Sequence, residues 1–201
     1  MMVGELNQIH IAECGRMAFS ICRADISMAE KLMRLQETVR RAMPDDRMFF
    51  PLSEDEMKDS LNNDIVLVAV PVMDDRQICQ ISVPEAELAA FAVLVVNRES
   101  GDRNLAYDAC LDPFTTVTFD AVAVSPGYRG FGLHGIFITC SVKLAAQLGA
   151  DRVLTTVDPE NTFSMANFLK KGFTVSVPEL RKYGGLRRSL LSLDITEQLT
   201  V

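Results

Sequence analysis

The stretch that decides the fold is residues 116–135, which read TVTFDAVAVSPGYRGFGLHG. Its first part, Thr116–Val124, is mostly apolar or β-branched and predicts a buried strand. A glycine-rich loop follows, and the apolar stripe that begins at Leu133 predicts a helix. A strand that delivers a glycine-rich loop to a helix N-terminus is a common way to bind phosphate groups. The stretch therefore predicts a phosphate-binding loop at the centre of the fold.

Three glycines lie close together in this loop, at Gly130, Gly132 and Gly135. Glycine permits positive φ angles and lets the backbone come close to a ligand. Successive N–H groups then point at one spot beside the positive end of the helix, as in a pyrophosphate cradle. The loop lacks the GK[ST] ending of a Walker A loop. A tight strand-to-helix turn that is simply rich in glycine is the alternative explanation.

The rest of the chain predicts elements in the order β-α-α-β-β-β-α-β-α-β-β. The predicted strands are Phe19–Arg23, Ile65–Val72, Leu88–Val96, Thr116–Val124, Arg152–Val157, Phe173–Val177 and Ser189–Ile195. The predicted helices start at Ser27, Ser53, Gly132 and Asn161, and the first two have capping boxes completed by Glu30 and Glu56. This order predicts a single α/β domain over residues 1–201, with a mixed sheet.

Composition and charge exclude several classes of function. No apolar run approaches the ~20 residues that cross a bilayer, and the N-terminus has no signal-peptide pattern. The net charge of −7 argues against nucleic-acid binding and weakly favours a cationic substrate. Five cysteines without a CxxC pair, and two histidines far apart, predict reduced thiols in a cytoplasmic protein without a metal site.

One loop is unusually apolar for a connection between two helices. The segment Pro44–Pro51 contains the run Met48-Phe49-Phe50. Such a run either packs against the core or lines a ligand pocket.

A second pattern lies downstream, after the strand Arg152–Val157. Asn161 is placed to cap the next helix, which carries Ser164 and Phe168 and ends before Gly172-Phe173. Taken alone, a capping role for Asn161 and a core role for Phe168 explain these residues.

Together, the two patterns resemble the GNAT superfamily of acetyl-CoA-dependent N-acetyltransferases. The family signature Q/R-x-x-G-x-G/A corresponds to RGFGLH at residues 129–134. The family's N-x-x-[A/S] and [Y/F]-x-x-x-GF motifs correspond to Asn161, Ser164, Phe168, Gly172 and Phe173. The resemblance covers about residues 85–195, with its signature region at 116–177, and is loose over the N-terminal part.

The resemblance implies a fold and a cosubstrate. The fold is a mixed α/β sheet flanked by helices that opens like a V beside Thr116–Val124. Acetyl-CoA would pair its pantetheine arm with the backbone of this strand and lay its pyrophosphate on the loop amides. The implied cofactor-binding residues are Val122, Val124, Arg129, Gly130, Phe131, Gly132, Leu133, His134, Gly135, Asn161, Ser164 and Phe168. No metal is implied.

Two residues depart from the family pattern. His134 stands at the last small position of the signature, so its side chain is expected to point away from the ligand. Phe168 stands where many relatives have the tyrosine that protonates the leaving thiolate, and phenylalanine cannot donate a proton. Water, Tyr183 or Ser164 would then supply that proton, or the thiolate leaves without an assigned acid.

Asp120 and Tyr183 are the predicted catalytic residues. An amine must lose a proton when it attacks a thioester, and Asp120 is a carboxylate in an otherwise apolar strand. The alternative is a structural Asp120, paired with an arginine or a backbone amide. Tyr183 precedes the last strand, where the resemblance implies an acceptor pocket.

The leading hypothesis is transfer of an acetyl group from acetyl-CoA to a small primary amine, by direct attack in a ternary complex. One alternative is a CoA-binding sensor or interaction module with little catalysis, which Phe168 keeps open. The other is a protein N-acetyltransferase. Neither a nucleic acid nor a membrane is an expected partner, and a homodimer is expected only because dimers are common in the resembled family.

Overall fold

The computed structural model of the chain describes residues 10–14, 17–72, 87–96 and 103–196. The strands are β1 (His10–Cys14), β2 (Met17–Arg23), β3 (Ile65–Val72), β4 (Ala90–Val95), β5 (Thr116–Val124), β6 (Arg152–Val157), β7 (Thr174–Lys182) and β8 (Leu186–Asp194). The α-helices are α1 (Ala29–Arg41), α2 (Glu54–Asn63), α3 (Leu133–Gln147) and α4 (Thr162–Lys170). Most of the predicted polar connection Met73–Glu87 lies outside the described residues.

The predicted order of elements is confirmed, with one strand added at its start. Sequence patterns missed β1, which is short and has no apolar run, and which pairs antiparallel with β2. The strands β7 and β8 are longer than predicted. They form one hairpin that turns at residues 183–185, and pairing across a hairpin supports strand residues whose own pattern is weak.

The helix starts agree with the sequence in one case and differ in another. The predicted capping box of Ser53 and Glu56 is present, with both reciprocal hydrogen bonds. The predicted box at Ser27 is wrong, because Asp25 accepts the Ser27 N–H at 2.8 Å and caps a short 3-10 turn before α1. An aspartate bonds readily to the backbone N–H two residues ahead. Here the resulting turn, Ile26–Met28, precedes α1 in the chain.

All eight strands belong to one mixed sheet, in the order β1-β2-β3-β4-β5-β6-β8-β7. The parallel pairing of β5 with β6 covers only Thr116–Thr118 against Arg152–Leu154. Beyond these pairs β5 continues to Val124, while β6 goes on pairing with antiparallel β8 as far as Val157. The two parallel strands therefore part after their first residues, and the mixed, V-splayed sheet is confirmed.

The chain divides into two compact units. One consists of Met1–Ala42, Pro51–Val93 and Val122–Ile136, and its largest fully buried side chains include Phe19, Met28, Leu32, Met57, Phe91 and Leu133. The other consists of Met43–Phe50, Leu94–Ala121 and Phe137–Val201, and its own core includes Leu94, Leu105, Phe119, Phe137, Ile138 and Phe168. Each unit thus has an apolar core of its own.

Two further features are the apolar character of the helices and the state of the cysteines. Across the four described ranges, no helix combines the length and apolar character needed to cross a membrane. Three cysteines whose side chains are described, Cys22, Cys110 and Cys140, are free thiols. Cys79 lies outside the described residues.

Candidate functional site

The loop between β5 and α3 has a backbone that favours glycine. Gly130 has a φ of +89° and Gly132 a φ of +74°, both in the left-handed region. A Cβ added at either position would meet open space, so packing does not exclude a side chain there. The backbone conformation itself explains why these positions are glycine.

The same loop presents backbone N–H groups that donate to no residue in the described part of the chain. Among the described residues, none accepts a hydrogen bond from the N–H groups of residues 130–132. The helix α3 begins immediately afterwards, and its first turn carries no acidic side chain. The N–H groups of that first turn and the positive end of the helix dipole therefore add to the loop donors. Together these groups form an anion-binding site made of backbone.

An aromatic anchor on β2 holds both flanks of the loop. Phe19 is fully buried, and its ring makes edge contacts with Tyr128 at 5.9 Å and with Phe131 at 5.7 Å between ring centroids. Burial and the neighbouring Glu87 raise the pKa of Tyr128. The sequence analysis did not identify Phe19 as a support of the loop. The signal for such a support was the pair Tyr128 and Phe131, since two aromatic rings in a glycine-rich loop usually pack against apolar side chains.

His134 contributes no charge to the loop. It lies on the first turn of α3, and the Nε2 atom of its ring is buried although the residue as a whole is partly exposed. Burial lowers the pKa of its imidazole to about 4, so the ring is neutral at physiological pH. An anion at the loop would therefore be bound by backbone dipoles without help from an imidazolium.

An open cavity of about 440 Å³ lies in the same unit, beside Ser125 at the start of the loop. Its lining includes Lys31 and Arg34 from α1 together with Glu87. The charges in this cavity are mixed, so its electrostatics do not select a ligand.

In the other unit, Asn161 caps α4 as predicted. Its side-chain Oδ1 accepts a hydrogen bond from the Ser164 N–H at 3.1 Å. The cap uses the carbonyl oxygen, which leaves the NH₂ group of Asn161 as the part able to donate to a ligand. The contacts of Asn161 and Ser164 with a cofactor stay predictions.

Phe168 packs in the core of this unit. It is 2% exposed and makes edge contacts with Phe119 at 5.4 Å and with Phe173 at 5.1 Å between ring centroids. This is the core role that its helical spacing predicted. The contact of Phe168 with a thioester stays a prediction, and the burial leaves very little of the ring surface open to one.

Asp120 forms a buried ion pair with Arg103. The Arg103 Nε donates to Asp120 Oδ2 at 3.0 Å, and Nη2 lies 2.9 Å from the same oxygen. The two side chains are only 9% and 5% exposed, in the order Arg103 and Asp120. The pairing with an arginine is the structural role that the sequence left open. A base at this position would have to share its carboxylate with a guanidinium.

Tyr183 lies at the turn of the β7–β8 hairpin, in a left-handed conformation with φ of +51°. Its hydroxyl is 3.1 Å from Thr156 Oγ1, and its ring stacks on Phe50 at 4.8 Å. Burial raises the pKa of Tyr183 to about 12, and the charge of Asp120 acts in the same direction. The phenol is therefore protonated at neutral pH.

Comparison with protein-family models and with curated proteins finds no match to this sequence. Solved structures do match it. Three of them are a GNAT superfamily phosphinothricin acetyltransferase from Sinorhizobium meliloti, solved with acetyl-CoA, the spermidine N-acetyltransferase of Vibrio cholerae, solved with CoA and spermine, and the ribosomal-protein-S18-alanine N-acetyltransferase of Escherichia coli. The chain has the GNAT acetyltransferase fold.

The likeness to these three structures extends over nearly the whole chain. In the order above, they share 18%, 13% and 14% sequence identity with it, at TM-scores of 0.60, 0.60 and 0.59. The matches cover 88%, 90% and 88% of this chain, and 88%, 98% and 94% of the other chains. At such identities the likeness shows the GNAT fold and nothing finer.

Within the described residues, no three His, Cys, Asp or Glu side chains lie close enough together to hold a metal ion.

The buried imidazole of His134 predicts a pH dependence of stability. Its pKa of about 4 lies below the ordinary value of 6.5, so between these values the unfolded chain binds a proton that the folded chain does not. Stability from this group is complete above about pH 6.5 and is lost as the pH falls toward 4. Urea unfolding from about pH 7 to about pH 5 should therefore show a steeper loss for the wild type than for His134→Gln. Equal slopes for the two proteins would contradict the burial of this ring.

Proposed function

We propose that this chain transfers an acetyl group from acetyl-CoA to a primary amine. The observation that carries the proposal is the loop between β5 and α3. The N–H groups of residues 130–132 donate to no described residue, and they lie next to the start of α3 in a chain with the GNAT fold. A pyrophosphate fits such a site by charge and by hydrogen bonding. The left-handed glycines also leave room for it at close range.

The strand before the loop suits an extended arm of the cosubstrate. The pairing of β5 with β6 ends at Thr118, so the later residues of β5 are not paired with β6. Val122 and Val124 are partly exposed, whereas the alternate residues Ala121 and Ala123 are buried. An extended amide chain can hydrogen-bond to such a strand edge in the manner of an added strand. The proposal assigns the pantetheine arm to Val122 and Val124.

The proposed chemistry asks little of the protein. The thioester supplies an activated acetyl group, and the amine nitrogen must be neutral when it attacks. The proposal gives the amine's proton to Asp120, directly or through water. The hydroxyl of Tyr183 is protonated at neutral pH, as an ordinary phenol is, and burial raises its pKa further, to about 12. It is therefore the proposed hydrogen-bond donor to the departing sulfur, in place of the tyrosine that Phe168 replaces.

The acceptor is proposed to be a small amine. Among proteins with this fold, one is named for spermidine, another for phosphinothricin and a third for an alanine of ribosomal protein S18. The fold thus serves small and large acceptors alike. The net charge of −7 favours approach of a cationic amine of either kind. A cytoplasmic location, a single domain over residues 1–201 and a homodimer remain predictions.

A CoA-binding sensor is the second candidate function. Two observations favour it: Asp120 is tied to Arg103 by a buried ion pair, and Phe168 is a core residue that cannot donate a proton. Both residues keep a structural role without any catalysis. The sensor and the enzyme share the same loop and differ only in turnover.

The loop assignment predicts the effect of one methyl group on CoA binding. Gly132→Ala places a side chain on left-handed backbone, at a cost of about 1 kcal/mol, and shifts the amides away from the phosphates. CoA affinity measured by calorimetry should fall about tenfold. The matched control is Gly149→Ala, a position at the end of α3 with a similar φ of +76° and equally open space. Equal CoA affinity in both variants would refute the cradle.

Turnover separates the transferase from the sensor. Purified protein with acetyl-CoA and a panel of polyamines, amino acids and basic peptides should release free thiol with at least one acceptor. The thiol is followed with a colorimetric reagent, and the acetylated product is identified by mass. Tight CoA binding without release of thiol above the rate of spontaneous hydrolysis would favour the sensor.

The proposed base predicts a selective loss of rate. Asp120→Asn should lower kcat by about 10²-fold, the usual scale for a general base, and leave CoA affinity unchanged. Because this variant leaves Arg103 as a buried charge without its carboxylate, the double variant Asp120→Asn with Arg103→Gln keeps the site neutral and foldable. The control is Asp112→Asn, at an exposed aspartate of the same unit. Wild-type kcat in a folded Asp120 variant would remove Asp120 as the base.

A further inference from the structure

A buried arginine links the segment Met43–Phe50 to the last hairpin. Arg188 lies at the start of β8 and is 3% exposed. Its Nη1 donates to Asp158 Oδ2 at 3.1 Å and to its neighbour's backbone oxygen, Arg187 O, at 2.7 Å. Its Nη2 donates to the backbone oxygen of Arg47 at 2.8 Å. All of these residues belong to the same compact unit.

These contacts require two charged nitrogen donors on one side chain, which arginine supplies. A guanidinium removed from water is costly unless its charge is paired and its N–H groups are bonded. Asp158 pairs the charge, and two backbone oxygens accept further N–H groups. The planar fork of arginine donates in several fixed directions at once, whereas lysine offers a single nitrogen. The site therefore holds the Arg47 carbonyl in one place.

The segment Met43–Phe50 is tied at a second point. Phe50, three residues after Arg47, stacks on the Tyr183 ring at 4.8 Å with an interplanar angle of 17°. The Arg188 guanidinium carbon also lies 5.7 Å from the centre of the Tyr183 ring. Arg188 thus contacts both the segment and the tyrosine on which the segment rests.

We propose that Arg188 is a positioning residue that holds the segment Met43–Phe50 against Tyr183. Its effect on the segment stands on the contacts alone. Its effect on acetyl transfer rests on the proposed function, in which Tyr183 belongs to the catalytic site. In that reaction Arg188 touches neither the amine nor the thioester, and it acts by fixing the aromatic wall of Phe50 and Tyr183.

Trypsin gives a direct readout of this positioning. The peptide bond after Arg47 follows an exposed basic side chain, and its carbonyl oxygen is the one that Arg188 holds. Arg188→Lys keeps a positive charge beside Asp158 but has one nitrogen in place of two, so it loses the separate Nη2 donor that holds the Arg47 carbonyl. Cleavage between Arg47 and Met48, followed by mass spectrometry, should become at least about tenfold faster, because the bond is cut through local opening. Cleavage at tryptic sites in the other unit should keep its wild-type rate.

The matched control is Arg187→Lys, at the neighbouring residue of the same strand. Arg187 is about half exposed and pairs only loosely with Glu179, at 3.5 Å. Its variant should be cut after Arg47 at the wild-type rate. A second variant, Arg188→Gln with Asp158→Asn, removes both charges together, so that folding does not depend on an unpaired carboxylate. Wild-type cleavage after Arg47 in the folded Arg188 variants would overturn the proposal.

Kinetics then test the role in acetyl transfer, using the acceptor that the amine panel identifies. Arg188→Lys should raise the KM for the amine about tenfold while CoA affinity stays within error of Arg187→Lys. An unchanged KM together with faster cleavage would overturn the role in the site and keep the role in the segment. If no amine is turned over by the wild type, the proposed function fails, and the cleavage result still decides the positioning.

Discussion

The early end of the pairing between β5 and β6 is the constraint on which the rest of this structure depends. Parallel strands normally share hydrogen bonds along their length, yet these two share only the pairs from Thr116 to Thr118. β6 pairs with β8 along its whole length, on its other edge, and β5 continues to Val124 before the glycine loop. On its β6-facing edge, the main chain of β5 beyond Thr118 is therefore not paired with β6, and this is the stretch to which the proposed function assigns the pantetheine arm.

Backbone dipoles supply the electrostatics of the loop. The imidazole of His134 is neutral, and the first turn of α3 carries no acidic group that would oppose an anion. Binding by fixed amides requires that the loop already has the right shape, since each amide must be in place before the anion arrives. The buried ring of Phe19 meets that requirement from beneath the loop.

The helices, the strands and the glycine loop could be predicted from the sequence because each is encoded by residues that are close together in the chain. Strand bounds at Ile65–Val72 and Arg152–Val157 follow from apolar runs, and the Asn161 cap follows from a side chain and a backbone N–H three residues apart. From the sequence, an ion pair of Asp120 was only one of two alternatives, the other being a catalytic base. Its partner, Arg103, lies 17 residues away and reaches it through tertiary folding. The stacking of Phe50 on Tyr183 and the contacts of Arg188 depend on still longer separations, which no periodicity encodes.

The left-handed backbone of Tyr183 has a consequence for anyone who modifies this protein. Glycine would occupy that φ of +51° without steric cost, as Gly184 and Gly185 do in the next two positions. A search for stabilising substitutions would therefore select Tyr183, together with Cys110, whose φ is +54°. Tyr183 keeps its strained conformation while its hydroxyl reaches Thr156 and its ring carries Phe50. A glycine at position 183 would relieve the backbone strain, but it would remove the hydroxyl contact with Thr156 and the ring on which Phe50 stacks.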